Sequence, residues 1–341
     1  LADQADEAGV SVILRRLLDS ISQPWAAEHG EYSISCSIGV SLFPRDGESA
    51  EQLLKCADAA MYKAKDIGRN TFHFFTPELD AAVSDHLEVA NNLRRALERD
   101  EFLLHYQPRV DIASGRIVGA EALIRWNRTG IGLTPPARFI PVAEETGLII
   151  PIGEWALREA CAQNLRWQTL GLPPLVISVN LSPIQFRRTG LVRQVAEVLK
   201  ETGLDGRWLE LELTESFIMQ DAERINTAMG ELKALGVEIA VDDFGTGYSS
   251  LSYLKRFPVD RLKIDKSFVQ DVTHDPDDAA IARAIINLGH SLNLRVVAEG
   301  VETQDQMDFV RSHGCDEIQG YLFSRPLTAA EFEALLRAHT A

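Results

Sequence analysis

No stretch of the 341 residues approaches the roughly 20 consecutive apolar side chains that a membrane-spanning helix needs, so no membrane segment is expected within the chain. No secretory leader is expected either, because the opening Leu1-Ala2-Asp3-Gln4 is acidic and polar. The chain opens without Met and is therefore expected to be a piece of a longer protein, whose upstream segments could include a sensor. Cysteine is scarce. Cys36, Cys56, Cys161 and Cys315 are scattered, with no Cys-x-x-Cys pair, which leaves four buried thiols in a reducing, cytoplasmic setting as the expectation. No His-x-x-x-His pair or Cys/His cluster points to a structural zinc. Positive charge is in deficit: 34 Lys and Arg face 50 Asp and Glu, a net charge of −16. A general nucleic-acid binder needs a basic face to displace counterions, so DNA is not an expected partner. If so acidic a chain handles a phosphorylated ligand, something must reverse the local sign, and divalent cations are the obvious device.

Ordinary globular proportions remain, with 45% hydrophobic and 25% charged residues, which exclude a disordered, collagenous or coiled-coil chain. The length allows roughly two domains. The first part, 1–76, reads helix, strand, helix, strand: Val10–Ile21, Tyr32–Phe43, Ala50–Ala64 and Thr71–Phe75. A charged helical linker is expected over 77–99. From Leu87 about 255 residues remain, close to the ~250 of a (β/α)8 barrel. Short β-branched or apolar runs alternate there with helical stretches, which predicts an α/β fold with a parallel sheet. One deviation shows. The run Phe102–Gln107 joins Arg116–Ala122 through Asp111-Ile112-Ala113-Ser114-Gly115, a hairpin-length turn, so the first barrel strand should run antiparallel to the second.

A barrel enzyme carries its reactive groups at the carboxyl ends of its strands. The runs end in Glu121, Asn180, Glu212, Asp242-Asp243, Lys263 with Asp265, Glu299 and Gln319. So many carboxylates around one opening repel strongly unless some stay protonated or cations sit among them. Hard divalent ions such as Mg²⁺ or Mn²⁺ suit carboxylate and amide oxygens. Asp242 and Asp243 are adjacent and would face opposite ways on a regular strand. Asp243 is therefore expected past the strand end, where Phe244-Gly245-Thr246-Gly247 turns the backbone. One carboxylate could then bridge two ions, the usual device for in-line attack on a phosphodiester. Glu210 shares a face with Glu212 and reads as structural or solvated.

These residues resemble the EAL domains, bacterial phosphodiesterases of cyclic di-GMP. The likeness runs from Leu87 to Ala341. It is carried by Glu121-Ala122-Leu123-Ile124-Arg125-Trp126, Tyr106-Gln107-Pro108, Phe139-Ile140-Pro141-Val142-Ala143-Glu144 and Ser178-Val179-Asn180-Leu181-Ser182. It continues through Glu212-Leu213-Thr214-Glu215-Ser216, Asp242 to Leu251, Lys263-Ile264-Asp265, Ala298-Glu299-Gly300-Val301-Glu302 and Gln319-Gly320-Tyr321. The resemblance implies hydrolysis of cyclic di-GMP to linear pGpG in second-messenger signalling, with two Mg²⁺ or Mn²⁺ ions. It implies that Glu121, Asn180, Glu212 and Asp242 hold one ion and Asp242 with Asp243 the other, with Glu299 also at the metals. Lys263, Glu299 and Glu121 would be catalytic, with Lys263 and Glu299 positioning and helping to deprotonate the water. Leu123, Arg125, Gln107, Asp265 and Gln319 would contact the substrate or its surroundings. Glu215 would steady the Asp-Asp-Phe-Gly-Thr-Gly loop, with a direct metal ligand as the alternative. That loop would reach a homodimer interface.

The N-terminal part resembles the last half of a GGDEF domain, the diguanylate cyclase module. Ser37-Ile38-Gly39-Val40-Ser41, Ala57 to Lys65 and Gly68-Arg69-Asn70 carry this likeness. No Gly-Gly-Asp-Glu-Phe string occurs, so no cyclic di-GMP synthesis is expected. Two rival readings of the barrel are a catalytically silent cyclic di-GMP receptor and an unrelated barrel hydrolase such as a glycosidase. The second does not account for Asn180, Lys263 and the adjacent aspartates together.

Overall fold

A computed structural model describes residues 7–23, 25–27, 30–32, 34–68, 70–218, 222–247 and 254–340. Leu1-Ala2-Asp3-Gln4, Arg69, Asp221 and the motif residues Tyr248-Ser249-Ser250-Leu251 lie outside them. The chain divides into two compact units, Leu1–Asn92 and Leu93–Ala341.

In the first unit, helix α1 (Glu7–Ile21) buries Val10, Leu14 and Leu18, a four-residue spacing that makes one apolar face. Strands β1 (Trp25–Ala27) and β2 (Gly30–Tyr32) form an antiparallel pair. Strand β3 (Ile38–Val40), helix α2 (Ala50–Asp66) and strand β4 (Phe72–Phe74) follow. Ser49 starts α2 with a capping box, accepting from Gln52 N while the Gln52 side chain accepts from the Ser49 backbone. The strands β3 and β4 are parallel and pack on α2 so closely that a Cβ on Gly39 would sit 1.8 Å from Ala57 O. Among the described residues of the strand expected over Tyr32–Phe43, only Tyr32, paired with Trp25, and Ile38–Val40, paired with β4, form a ladder. Helix α3 (Pro77–Ala96) opens on proline, where the missing N–H has no helical partner to lose.

The second unit is a closed eight-stranded barrel wrapped in helices. Its strands are β5 (Phe102–Asp111), β6 (Ile117–Arg128), β8 (Val176–Asn180), β9 (Leu209–Thr214), β10 (Glu238–Phe244), β11 (Arg261–Ile264), β12 (Arg295–Glu299) and β13 (Glu317–Gln319). Each pairs with the next in parallel from β6 onward. Strand β5 closes the ring between β13 and β6 and runs antiparallel to both, as its hairpin turn predicts. In that turn Asp111 Oδ1 accepts from Ser114 N at 2.7 Å, and Gly115 takes φ +69°.

Several elements of this unit escape the sequence pattern. Strand β6 runs on to Arg128 and pairs with β7 (Gly132–Thr134), because Trp126 is buried against Phe102 and Phe139. Helix α4 (Pro136–Glu145) carries Pro141 in its interior, which disguises it as a loop. Helices α5 (Ile149–Thr169), α6 (Pro183–Arg187), α7 (Leu191–Thr202), α8 (Glu215–Ile218), α9 (Ala222–Ala234), α10 (Lys266–Gln270), α11 (Pro276–Ser291), α12 (Gln304–Ser312) and α13 (Ala329–Thr340) complete it. Among the described residues no helix is long and apolar enough to cross a membrane. None of the four cysteines forms a disulfide; Cys161 and Cys315 are buried, whereas Cys36 and Cys56 are only half-buried, short of the burial expected for all four.

Candidate active site

Strand periodicity separates the chemistry from the packing. On β9, Leu209, Leu211 and Leu213 join the apolar core under the helices, while Glu210 and Glu212 turn into the barrel. The same alternation on the other strands builds an inward layer: Glu121 within the long β6, and Asn180, Glu212, Asp242, Lys263, Glu299 and Gln319 at or near the carboxyl ends of theirs.

Lys263 is the centre of that layer and is fully buried. Its Nζ lies 2.6 Å from Glu212 Oε2, 2.6 Å from Glu299 Oε1, 3.0 Å from Asp242 Oδ1 and 3.7 Å from Glu121 Oε2. Burial pulls the ammonium towards neutrality, but Asp242, Glu121, Glu212 and Glu299 outweigh it and hold Lys263 charged, well above the ordinary lysine range. One ammonium cannot balance four carboxylates. Burial, aided by the charges of Asp242 and Glu121, pushes Glu299 up to about 8 against the pull of Lys263. Burial and the neighbouring Glu121 raise Glu212 well above the carboxylate range. Glu121 goes the other way. Its burial is outweighed by Lys263 and by the amides of Gln319 and Asn180, which donate to it at 2.5 and 2.6 Å. Gln319 Nε2 also reaches Gln107 Oε1 at 3.1 Å, which joins β5 to the cluster.

The adjacent aspartates are arranged differently from expectation. Strand β10 does not end before Asp243; it continues to Phe244. The register against β11 shifts between Val241 and Phe244, and Asp243 takes φ +52°. A bulge thus re-aims the second carboxylate within the strand. Oxygens of Asp242, Asp243 and Glu299 then lie within 4.8 Å of one another. Burial, Asp242 and a hydrogen bond with Asp265 push Asp243 up to about 6. Asp265 is otherwise occupied: it follows β11 and caps α10, accepting from Ser267 N at 2.9 Å. Glu215 opens α8, and its Oε2 accepts from Gly245 N at 2.8 Å and Gly247 N at 3.3 Å. It holds the loop after β10 by its backbone.

A second charged layer lies two residues below the first. Arg109 pairs with Glu210 at 2.5 Å and with Glu317 at 2.7 Å; Arg261 also pairs with Glu210, and Ser178 Oγ donates to Glu210 at 2.6 Å. Glu210 is fully buried, so of the structural and solvated readings only the structural one holds. Burial pushes its carboxyl up, but Arg109 and Arg261 outweigh it and hold it down at about 2. The signal for this layer is present in the sequence as a charged residue two positions before each of three upper-layer residues: Glu210 before Glu212, Arg261 before Lys263 and Glu317 before Gln319.

Among the described residues, two cavities adjoin the upper layer. One, of about 320 Å³, is lined by Gln107, Glu121, Leu123, Asp242, Glu299 and Gln319 together with Lys266, Gln270, Glu302 and Tyr321, four residues that the strand-end reading did not single out. The other, of about 300 Å³, is mostly apolar and lies between β6, α4, α5 and the end of β8; Leu123 and Asn180 border it. Arg125 is half-buried and lines neither; its Nη1 donates to Ile124 O at 2.9 Å.

The EAL domain family profile matches residues 90–326. The chain belongs to the EAL domain family. Residues 1–71 match the family "Diguanylate cyclase, GGDEF domain", so a GGDEF fragment precedes the EAL domain. The chain is 46% identical over 334 residues to the bifunctional diguanylate cyclase/cyclic di-GMP phosphodiesterase MucR of Pseudomonas aeruginosa, covering 98% of this chain and 49% of that protein. It is 41% identical over 339 residues to the cyclic di-GMP phosphodiesterase NbdA of the same organism, covering 99% of this chain and 43% of that one. The chain thus spans half or less of the length of these relatives. A solved structure described as the PaMucR phosphodiesterase in complex with c-di-GMP superposes with a TM-score of 0.70 at 48% identity, covering 72% of this chain and 99% of that one. The inverted first strand and closed barrel fit this EAL membership.

Proposed function

We propose that the EAL domain hydrolyses cyclic di-GMP to linear pGpG with the help of two divalent ions, Mg²⁺ or Mn²⁺. The observation that carries the reading is the buried Lys263 ammonium with four carboxylates around it, in a chain whose relatives MucR and NbdA are named as cyclic di-GMP phosphodiesterases. The residues fit a metal on three counts. The cluster holds more negative charge than Lys263 balances. Glu212 Oε1 is buried with no hydrogen-bond partner among the described residues, and the donors are hard oxygens. Two ions held by Glu121, Asn180, Glu212, Asp242 and Asp243, with Glu299 beside them, would polarise the phosphodiester and acidify the attacking water.

The chain's own residues do the rest. Gln319 and Asn180 hold Glu121 in place through its two oxygens. Glu299 takes the proton that the attacking water gives up. Lys263, at 2.6 Å from Glu299 Oε1, steadies negative charge as one P–O bond of the ring opens. Leu123 and Gln107, which border the 320 Å³ cavity, would contact the substrate. Arg125 offers a planar fork suited to a phosphate if its side chain swings from Ile124 O. Asp265 supports Asp243, and Glu215 supports the loop through Gly245 and Gly247. A homodimer through the barrel and a cytoplasmic setting belong to the same proposal, the latter supported by four cysteines that form no disulfide.

The test is a cleavage assay with cyclic di-GMP and Mg²⁺, repeated with Ca²⁺. Linear product with Mg²⁺, none with Ca²⁺, and none from Glu121→Ala is the expected pattern. Tight binding without turnover under any metal would establish the receptor reading instead, which the complete carboxylate set does not favour.

A further inference from the structure

We propose that Glu144, on α4, is a positioning residue that sets Asn180 for metal binding; the proposal rests on the reading of Asn180 as a metal ligand. Asn180 is the last residue of β8, so its direction depends on what holds the chain just beyond it. One side of that chain is fixed by the barrel, where Leu181 N donates to Glu212 O at 2.9 Å. The other side faces the apolar cavity of about 300 Å³, which Asn180, Leu181, Ser182 and Glu144 border.

Hydrogen bonds anchor the loop on that side. Ser182 Oγ donates to Glu144 Oε1 at 2.6 Å across 38 residues of sequence. The same oxygen accepts from Ile184 N at 3.2 Å, and Ser182 N donates to Gln185 Oε1 at 3.1 Å. A hydroxyl has one proton to give. Glu144 takes it, which turns a lone pair of Ser182 towards the first turn of α6. Gln185 in turn lies against Gly153 of α5, where a Cβ would come within 2.0 Å of its Nε2. The loop after β8 is thus tied to α4 by one charge-assisted bond and seated on α5 by one close contact. With that bond in place Asn180 Nδ2 stands 2.6 Å from Glu121 Oε1, joining the two residues in one cluster. Without it, Ser182 keeps its helix-capping role but loses its long-range anchor. Glu144 plays for Asn180 the part that Glu215 plays for Gly245 and Gly247.

The test is Mn²⁺ binding by the full chain, followed by electron paramagnetic resonance of the free ion, with thermal unfolding in metal-free buffer alongside. Glu144→Ala is expected to weaken Mn²⁺ binding about tenfold, the scale seen when a group that orients a metal ligand is removed. Glu144→Gln keeps an acceptor oxygen and is expected to stay within about threefold of the parent. In an Asn180→Ala background, Glu144→Ala is expected to add no further loss, since the two act as one unit. Unchanged Mn²⁺ affinity in Glu144→Ala, or an equal loss with and without Asn180, would overturn the proposal. Ser182→Ala removes the same bond from its other end should Glu144→Ala not fold. A parent chain that binds no Mn²⁺ would instead sink the metal reading on which the proposal rests.

Discussion

Lys263 Nζ lies 2.6 Å from Glu299 Oε1, and the lysine side chain is 1% exposed at that contact. A lysine so deeply buried stays charged only because carboxylates surround it. Lys263→Met leaves Glu121, Glu212, Asp242 and Glu299 facing one another. Turnover is expected to fall at least ~100-fold, since a preorganised charge next to the reacting group is lost. Urea unfolding in metal-free buffer should show a loss of about 3–5 kcal/mol, the usual cost of removing one partner from a buried ion cluster. Full stability without metal would show that Lys263 does not hold the cluster together.

Glu215 touches the loop after β10 through two backbone donors, Gly245 N and Gly247 N. Glu215→Ala leaves both without that acceptor and frees the backbone next to Asp243. Turnover is expected to drop about 100-fold, while stability falls by only about 1–3 kcal/mol, the cost of buried donors left unpaired. Glu215→Gln keeps one acceptor oxygen and is expected to retain part of the activity. Steady-state kinetics beside thermal unfolding separates the two effects; equal activity in all three proteins would remove Glu215 from the account.

The lower layer predicts the behaviour in acid. Glu210 is held at about 2 by folding, whereas a free glutamate titrates near 4.3. A carboxylate depressed by folding adds stability that is complete above the unfolded value and is lost as pH falls through the folded one. Stability should therefore decline between roughly pH 4.5 and 2, with protonation of Glu210 contributing to the slope. Glu210→Gln removes this contribution and should give a shallower decline from a lower starting point. Urea unfolding at successive pH values checks it.

Gly119 lies on β6 where a Cβ would meet Arg109 Nη2 at 2.8 Å. Gly119→Ala forces that guanidinium away from Glu210 and Glu317. A loss of about 1–3 kcal/mol is expected from overfilling the site, read by thermal unfolding. A neutral substitution would mean that the arginine layer tolerates displacement.

The sequence carried the barrel and its upper layer because both follow from periodicity. Asn180, Glu212, Lys263, Glu299 and Gln319 each stand at or next to a strand's carboxyl end, Glu121 lies within the longer β6, and the Asp111–Gly115 turn announced the inverted β5. Three features were not legible, each for a physical reason. The bulge at Asp243 needs a positive φ in a residue other than glycine, which tertiary context imposes. Pro141 masks α4, because a proline reads as a helix stop even where the fold accommodates it. Arg109, Glu210, Arg261 and Glu317 look like ordinary surface charges one at a time, and only their two-residue offset from the upper layer marks them as interior.

The central claim is that the acidic layer around Lys263 holds two divalent ions. Crystals of the chain soaked in Mn²⁺ and measured at the manganese absorption edge test it most directly. Two anomalous peaks are expected, one among Glu121, Asn180, Glu212 and Asp242 and one between Asp242 and Asp243. No peak at these carboxylates, with Lys263 still their sole counter-charge, would contradict it.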